Sequence, residues 1–247
     1  MTRRNFLLYS SALTLSTLDA DLLYKPDSYL TASQYDTLLS LDTKLSKLRR
    51  HVGFGNFNLI SYDESLKIAK MNPKIGEFTY EEISLIDRFF YDDPVKYGFY
   101  GERTCYDLNN KISKKEVVKI PRTGHYIFKG TPTRDYARII GDIGDTLYLT
   151  SGVRNVMKQL SLYCSKLKTL KGNITQTSRD IAPPSHSFHT IGDFDVGKMG
   201  LGSRNFTSDF AKTTEFEKMT KLDYISIRYS PNNLDGVRFE PWHVKII

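Results

Sequence analysis

The first half of the chain places apolar side chains at helical spacing in three successive segments. Residues 31–48 repeat them every three or four positions, which predicts an amphipathic helix, and residues 62–71 predict a second one. A third helix is predicted to begin at Thr79, because Thr79 and Glu82 form a Thr-x-x-Glu capping box. Nothing in these segments suggests chemistry, so residues 21–120 are predicted to form a helical extension.

The second half of the chain mixes short β-rich runs with helical spacing. Four runs predict strands: 146–150, 194–196, 224–229 and 237–240. Three stretches predict helices: 133–140, 154–170 and 205–222. Polar residues 172–181 predict a loop, and a turn after the third strand is expected to bring Glu240 and His243 to the end of the sheet. The pattern predicts an α+β fold, in which a small, mainly antiparallel sheet packs with helices.

The N-terminus combines paired arginines with a weakly apolar run. Arg3 and Arg4 precede Asn-Phe-Leu-Leu, and the apolar character continues to Leu18. This order resembles a twin-arginine export signal, so residues 1–20 are the predicted signal and the protein is expected in the periplasm or cell envelope. The alternative is a short N-terminal helix. The run is too short and too rich in Ser and Thr to span a bilayer, so we expect no stable membrane span once the signal is removed.

Composition and charge narrow the function classes. The 247 residues are 40% hydrophobic and 13% aromatic, which supports a packed core. The net charge of +7 is spread along the chain, which suits solubility or an anionic cell envelope. The densest basic run, 44–50, lies on a helical pattern and predicts a solvated face, so we expect no nucleic-acid partner. Cys105 and Cys164 form one disulfide if the protein is exported and are buried thiols otherwise.

Two separate segments concentrate the residue types that bind and activate metal ions. Residues 183–197 hold two histidines and two aspartates, and residues 240–243 read Glu-Pro-Trp-His. Three of the five histidines lie in these two segments. A catalytic zinc ion needs three nitrogen or oxygen ligands, an open position for water, and a base beside that water. The two segments together offer this set.

Three motifs carry a family resemblance. Residues 187–195, Ser-Phe-His-Thr-Ile-Gly-Asp-Phe-Asp, resemble the Ser-x-His-x-x-Gly-x-x-x-Asp signature of the zinc D-alanyl-D-alanine carboxypeptidases and dipeptidases of the VanY/VanX type. Residues 240–243 match the Glu-x-Trp-His signature of that family, and residues 149–154 resemble its Ser-Gly-Tyr-Arg motif. The three occur in the order of the family and span roughly the C-terminal half of the chain.

The resemblance implies one zinc ion per chain. By this resemblance its ligands are His189, Asp195 and His243, and Glu240 is the catalytic base. The gap from His189 to Asp195 is one residue shorter than in the family, which leaves Asp193 as the other candidate ligand. The residues after Asp195, Val-Gly, match those after the family aspartate, so the ligand is assigned to Asp195.

The resemblance also implies which residues hold the substrate. Arg154 is expected to act in catalysis and binding, by holding a carboxylate or a developing oxyanion, for which a guanidinium fork suits better than lysine. Ser187 and Gln159 are expected to contact the substrate. His186 is expected to lie behind a ligand or at the surface, and His125 to be packed or hydrogen-bonded rather than to line the site.

The function implied is that of a zinc-dependent D-alanyl-D-alanine carboxypeptidase. Its partner would be a peptidoglycan stem peptide, and residues 121–247 would form its catalytic domain. Other zinc peptidases of the cell wall remain open: an L,D-carboxypeptidase, a D,D-dipeptidase or an endopeptidase. A non-catalytic envelope-binding protein is a further alternative, suggested by the shortened spacing in the first motif.

Overall fold

The structure is a computed structural model that describes residues 26–246. The predicted export signal, residues 1–20, lies outside the described residues. No helix within 26–246 combines the length and the apolar character needed to cross a bilayer. The described chain has an N-terminal region of helices, followed by a half in which helices surround a small antiparallel sheet, which confirms the predicted α+β class.

The three helices predicted for the first half are confirmed. They are α1 (Ala32–Val52), α2 (Tyr62–Met71) and α3 (Tyr80–Tyr91). Each begins with a reciprocal capping box, including the predicted one in which Thr79 Oγ1 accepts from Glu82 N at 3.3 Å. Capping of this kind satisfies backbone N–H groups that have no partner inside the helix, and therefore fixes where each helix starts.

The sheet that carries the later strands is antiparallel throughout. A separate hairpin pairs β1 (Val117–Lys119) with β2 (Tyr126–Phe128). The main sheet comprises four strands: β3 (Leu147–Ser151), β4 (Phe194–Lys198), β5 (Ser226–Ile227) and β6 (His243–Lys245). Their spatial order is β3-β4-β6-β5, so the two strands from the distant metal-type segments are neighbours.

The second half of the chain contains four further helices: α4 (Thr131–Ile143), α5 (Val156–Thr169), α6 (Ile174–Asp180) and α7 (Thr214–Met219). The polar stretch 172–181, predicted as a loop, therefore contains a helix. Asn173 caps it by accepting from Gln176 N at 2.9 Å, and its buried Ile174 joins the hydrophobic core. A cap and one apolar anchor are enough here to order a short helix whose composition alone indicates a loop.

The helix predicted at 205–222 and the strand predicted at 224–229 are both shorter in the structure. Of residues 205–222 only α7 is α-helical, and two 3₁₀ turns, Gly202–Phe206 and Phe210–Lys212, precede it. Thr213 Oγ1 accepts from Phe216 N at 3.2 Å, so this hydroxyl starts a new helix in the middle of the predicted one. The strand predicted at 224–229 is reduced to β5.

The strand predicted at 237–240 is absent from the structure. The last strand begins instead at His243, after Pro241, which has no N–H to donate to a ladder. Glu240 therefore lies in the connection that leads into β6. It still reaches the same end of the sheet, because its backbone N–H donates to Tyr229 O at 3.0 Å.

The described residues form two large hydrophobic cores, and α5 belongs to the first of them. One face of α5, including Met157 and Leu160, packs into the core formed by α1 and α3. The second core lies under the main sheet and includes Phe194 and Trp242. Cys105 and Cys164 both lie in the first core as free, buried thiols. The N-terminal helices thus support α5, the helix that follows the motif around Arg154.

Gly152 tests how tightly the end of β3 is packed. A Cβ atom at Gly152 would lie 2.0 Å from Tyr126 O, a backbone atom that already accepts from Val153 N. We expect Gly152→Ala to lower the free energy of unfolding by roughly 1–3 kcal/mol, because neither backbone can yield easily. Gly141→Ala in α4 is the matched control, since nothing lies within 4 Å of its added carbon. Denaturant unfolding that gives both variants the same stability would contradict this packing.

Candidate metal centre

Adjacent strands bring the predicted ligands together. Asp195 in β4 pairs directly with His243 at the start of β6, and Ser151 of β3 lies opposite Asp195 on the other side. His189 comes from the short 3₁₀ turn Phe188–Thr190 just before β4. One ligand atom from each of His189, Asp195 and His243 lies within 4.8 Å of the others, and all three side chains are buried.

Two of the facing atoms, one on His189 and one on Asp195, lack hydrogen-bond partners. His189 Nε2 and Asp195 Oδ1 are 3.3 Å apart, both are buried, and neither makes a hydrogen bond. His243 Nδ1 lies 3.6 Å from the same carboxylate oxygen. Buried polar atoms without partners are unfavourable, and a cation between them would satisfy all three. Two imidazole nitrogens and one carboxylate oxygen are ligands that suit zinc, so the residues present fit this metal.

The far side of each imidazole is held by a hydrogen bond. His189 Nδ1 donates to the carbonyl oxygen of Gly152 at 2.8 Å, which leaves Nε2 as the free, ligating nitrogen. His243 Nε2 lies 3.1 Å from Asp193 Oδ2 and donates to it, which turns Nδ1 towards the metal position. Such outer contacts fix the tautomer and the ring orientation of metal-binding histidines.

Asp193, the alternative ligand, is fully engaged elsewhere. Arg228 holds it with two hydrogen bonds, Nε to Oδ2 at 2.7 Å and a terminal nitrogen to Oδ1 at 3.1 Å. The backbone N–H of Ile246 donates to Oδ1 at 3.0 Å. The geometry therefore favours Asp195 as the ligand and gives Asp193 the task of orienting His243. Sequence reasoning missed Arg228, although it is the single charged residue in the β-rich run 224–229.

The pKa values of the two candidate histidine ligands shift in opposite directions. Burial, reinforced by the charge of Arg154, lowers the pKa of His189 to about 4, so this imidazole is neutral and ready to ligate. Burial opposes the charged form of His243 as well. For His243 the hydrogen bonds to Asp193 and Glu240 outweigh the effect of burial, and they raise the pKa of His243 to about 9. Metal binding near neutral pH must therefore displace a proton from His243.

Glu240 occupies the position expected of a base. It is buried, and its Oε2 lies 3.3 Å from His243 Nδ1, beside the metal position. Burial raises the pKa of Glu240, which brings the carboxylate closer to the range in which a base both accepts and returns a proton near neutrality. Trp242 is buried next to it against Phe206 and Arg238, and so fixes this part of the chain.

Arg154 is anchored between the metal group and the substrate side. It lies just before α5 rather than inside it, because Asn155 is the N-cap residue. Its Nε donates to Ser151 Oγ at 2.8 Å, and a terminal nitrogen forms an ion pair with Asp195. Gln159 Oε1 accepts from its other terminal nitrogen at 3.5 Å. Arg154 thus presents a fixed positive charge next to a metal ligand.

The remaining predicted substrate residues lie close by. Gln159 and Ser187 line a recess of about 30 Å³ that also touches His189, Glu240 and His243. Gln159 Nε2 donates to Ala182 O at 2.8 Å, which ties α5 to the segment that leads into the metal motif. The structure thus brings both residues to the candidate centre, and their contact with substrate stays a prediction.

The other histidines differ from their predictions. His186 is buried rather than exposed, contacts Phe99 edge to face, and has its Nδ1 2.9 Å from Ser185 Oγ. It makes none of the hydrogen bonds that support the metal ligands. His125 lines the cleft, contrary to the packed position expected for it. Its sequence context gave no sign of this, because the approach of β2 to the end of β3 is a long-range contact.

A cleft of about 280 Å³ opens beside the metal group. Its lining includes polar and aromatic residues near the ends of β2, β3, α5 and β6, among them His125, Ser151, Arg154, Lys158, Glu240 and Trp242. Sequence reasoning missed Lys158. It lies four residues after Arg154, so the predicted helix 154–170 would place both residues on one face.

A buried metal-binding group with a glutamate and an open cleft beside it is the arrangement of a hydrolytic centre, and the class that this fold and site define is the metallopeptidases. Residues 137–247 match the family model described as VanY, D-alanyl-D-alanine carboxypeptidase. The matched residues include all of the candidate centre, so this part of the chain is similar to the VanY family. No curated protein matches the chain significantly.

The solved structures to which the chain is similar are distant in sequence. A zinc-bound variant of the vancomycin-resistance D,D-pentapeptidase VanY is 18% identical, with a TM-score of 0.43, over 61% of this chain and 88% of that one. VanYB in complex with D-alanine-D-alanine is 21% identical, with a TM-score of 0.42, over 60% and 81%. The L,D-carboxypeptidase LdcB is 17% identical, with a TM-score of 0.47, over 64% and 88%.

The contact between Asp193 and His243 predicts a measurable effect on metal affinity. Asp193→Asn keeps the shape but removes the charge that holds His243 Nε2, so we expect zinc to bind about 10–100-fold more weakly. Competition with a chromogenic chelator measures this affinity. Asp209→Asn is the control, because Asp209 is a surface residue that pairs with Lys212. Equal zinc affinity in both variants would rule out the orienting role of Asp193.

Proposed function

We propose that the protein is a zinc-dependent D-alanyl-D-alanine carboxypeptidase that removes the terminal D-alanine from peptidoglycan stem peptides. The observation that carries the proposal is the buried group of His189, Asp195 and His243. In this group His189 Nε2 and Asp195 Oδ1 lack partners, and His243 Nδ1 contacts Glu240. The match of residues 137–247 to the VanY family model supports the D-alanyl-D-alanine bond as the one that is cleaved. One zinc ion per chain, bound by these three residues, is part of the proposal.

Glu240 is the residue that moves protons in this scheme. A zinc ion bound here would polarise the scissile carbonyl and lower the pKa of a coordinated water towards about 7. Glu240 accepts the proton of the attacking water and returns it to the amine of the leaving D-alanine. Its burial next to His243 excludes bulk solvent and keeps the carboxylate within reach of both positions.

Arg154 supplies fixed positive charge where negative charge develops. Its contacts with Ser151 and Asp195 keep the guanidinium in place before substrate arrives. A preorganised donor of this kind stabilises a tetrahedral oxyanion without reorganisation during the reaction. Gln159 accepts a hydrogen bond from Arg154 and so positions it, and Ser187 lines the same recess as Gln159.

The direct test is incubation of the purified, zinc-loaded protein with a stem pentapeptide that ends in D-Ala-D-Ala, followed by mass analysis. We expect loss of a single D-alanine. Glu240→Ala should keep one zinc per chain and lose at least about 10²-fold in kcat, because the base is gone while the ligands remain. Glu217→Ala, an exposed glutamate on α7, is the matched control.

Other products would overturn the proposal in identifiable ways. Cleavage at an internal bond indicates an endopeptidase, and cleavage of the free D-Ala-D-Ala dipeptide but not of the pentapeptide indicates a D,D-dipeptidase. Cleavage only of a tetrapeptide indicates an L,D-carboxypeptidase. Zinc binding without any cleavage favours a non-catalytic envelope-binding protein. Full activity in Glu240→Ala would remove this residue from the role of base.

Export to the periplasm or cell envelope belongs to the same proposal, because stem peptides are found there. The support is the sequence Arg3-Arg4 followed by a weakly apolar run. We expect the double variant Arg3→Lys, Arg4→Lys to remain in the cytoplasm, since twin-arginine recognition reads arginine rather than positive charge. Cell fractionation and immunoblotting measure this, with Lys25→Arg as the control. Unchanged export of the double variant would exclude this route.

A further inference from the structure

Lys158 is a cleft-lining cation that the proposed chemistry does not use. It lies in the first turn of α5, one turn beyond Arg154, and is half-buried in the wall of the cleft. Within residues 26–246 its ammonium group forms no ion pair and no side-chain hydrogen bond. A lysine in such a position normally finds a carboxylate or extends into water.

The acidic groups of the same cleft are already paired with other cations. Asp195 forms its ion pair with Arg154. Asp180 is held by Lys166 at 2.5 Å and by Arg238 at 3.3 Å. The third carboxylate, that of Glu240, hydrogen-bonds to a metal ligand. The cleft therefore provides Lys158 with no partner from these acids.

The surroundings of Lys158 disfavour its positive charge. Burial is the main cause, and Arg154 and Arg49 add repulsion, so the pKa of Lys158 falls to about 8. The N-terminal turn of a helix also repels a cation, and α5 has no acidic residue there to compensate. An anion from outside the protein would reverse all three effects, because it would replace lost hydration and face a concentration of positive charge.

His125 adds a neutral donor beside this charge. It lines the same cleft, and burial together with the nearby charges of Lys158 and Arg154 lowers its pKa to about 4. The neutral ring retains one N–H, and within the described residues this ring has no hydrogen-bond partner. An ammonium and an imidazole N–H lining one cleft suit the two oxygens of a carboxylate.

We propose that Lys158 and His125 form a carboxylate-binding subsite that fixes the substrate peptide in the cleft. The inference rests on the proposed function, since it names the group by which the substrate is held. A stem peptide with lysine at its third position, the form used in the test below, offers two such groups: its terminal carboxylate and the free carboxylate of its γ-linked glutamate. Arg154, held against Asp195, remains available for the reacting carbonyl.

The test uses equilibrium binding to the zinc-loaded Glu240→Ala protein, which prevents turnover. Trp242 is the only tryptophan in the sequence and lines the cleft, so its fluorescence reports occupancy. Three ligands are compared: the free pentapeptide, the peptide amidated at its C-terminus, and the peptide amidated at the γ-linked glutamate. Each is titrated into the parent protein, Lys158→Met, Lys158→Arg and the control Lys168→Met, a lysine of the same helix that pairs with Asp42.

We expect Lys158→Met to weaken binding of the free pentapeptide by about tenfold or more, because a charge-assisted contact is lost. One of the two amidated peptides should bind the parent as weakly and be insensitive to Lys158→Met, which identifies the carboxylate. Lys158→Arg should retain most of the affinity and Lys168→Met all of it. If Lys158→Met binds all three peptides like the parent, at equal zinc content, the subsite is refuted.

Failure of the subsite is distinguishable from failure of the proposed function. With Glu240 restored, Lys158→Met should raise KM for the free pentapeptide and leave kcat within about twofold, since the lost contact serves binding rather than chemistry. Release of D-alanine with an unchanged KM keeps the function and overturns the subsite. Binding that depends on Lys158, without any release of D-alanine, keeps the subsite and overturns the function.

Discussion

The antiparallel pairing of β4 with β6 is the constraint on which the rest of this structure depends. It sets Asp195 directly beside His243, and the turn before β4 adds His189. Of the facing atoms, His189 Nε2 and Asp195 Oδ1 are buried without partners, and a cation between them would remove this unfavourable term. Neighbouring residues at this end of the sheet orient the two histidines. Gly152 and Asp193 each accept a hydrogen bond from the back of one imidazole.

The N-terminal helices are coupled to this centre through α5. The apolar face of α5 packs into the core of α1 and α3, and its first turn presents Lys158 to the cleft. Asn155, its N-cap, donates its backbone N–H to Asn58 O at 3.0 Å, so the helical region also contacts the start of α5 directly. The helices therefore hold the substrate side of the cleft, whereas the sheet holds the metal side.

Most of what the sequence predicted correctly is local. Capping boxes and apolar spacing placed α1, α2 and α3, and short motifs identified the residues that meet at the candidate centre. What the sequence did not show depends on long-range contacts. The pairing of Arg228 with Asp193 joins residues 35 apart, and the approach of β2 to β3 puts His125 in the cleft. The cap at Thr213 also divides the predicted helix 205–222. Long-range contacts and caps of this kind leave no periodic pattern in the sequence.

X-ray absorption at the zinc edge, on protein loaded with one equivalent of zinc, tests the central claim most directly. The account predicts a four-coordinate ion with only nitrogen and oxygen ligands at about 2.0–2.1 Å, including the outer-shell scattering of two imidazoles. Sulfur ligands, or a spectrum of hydrated zinc without imidazole scattering, would contradict a metal centre built from His189, Asp195 and His243.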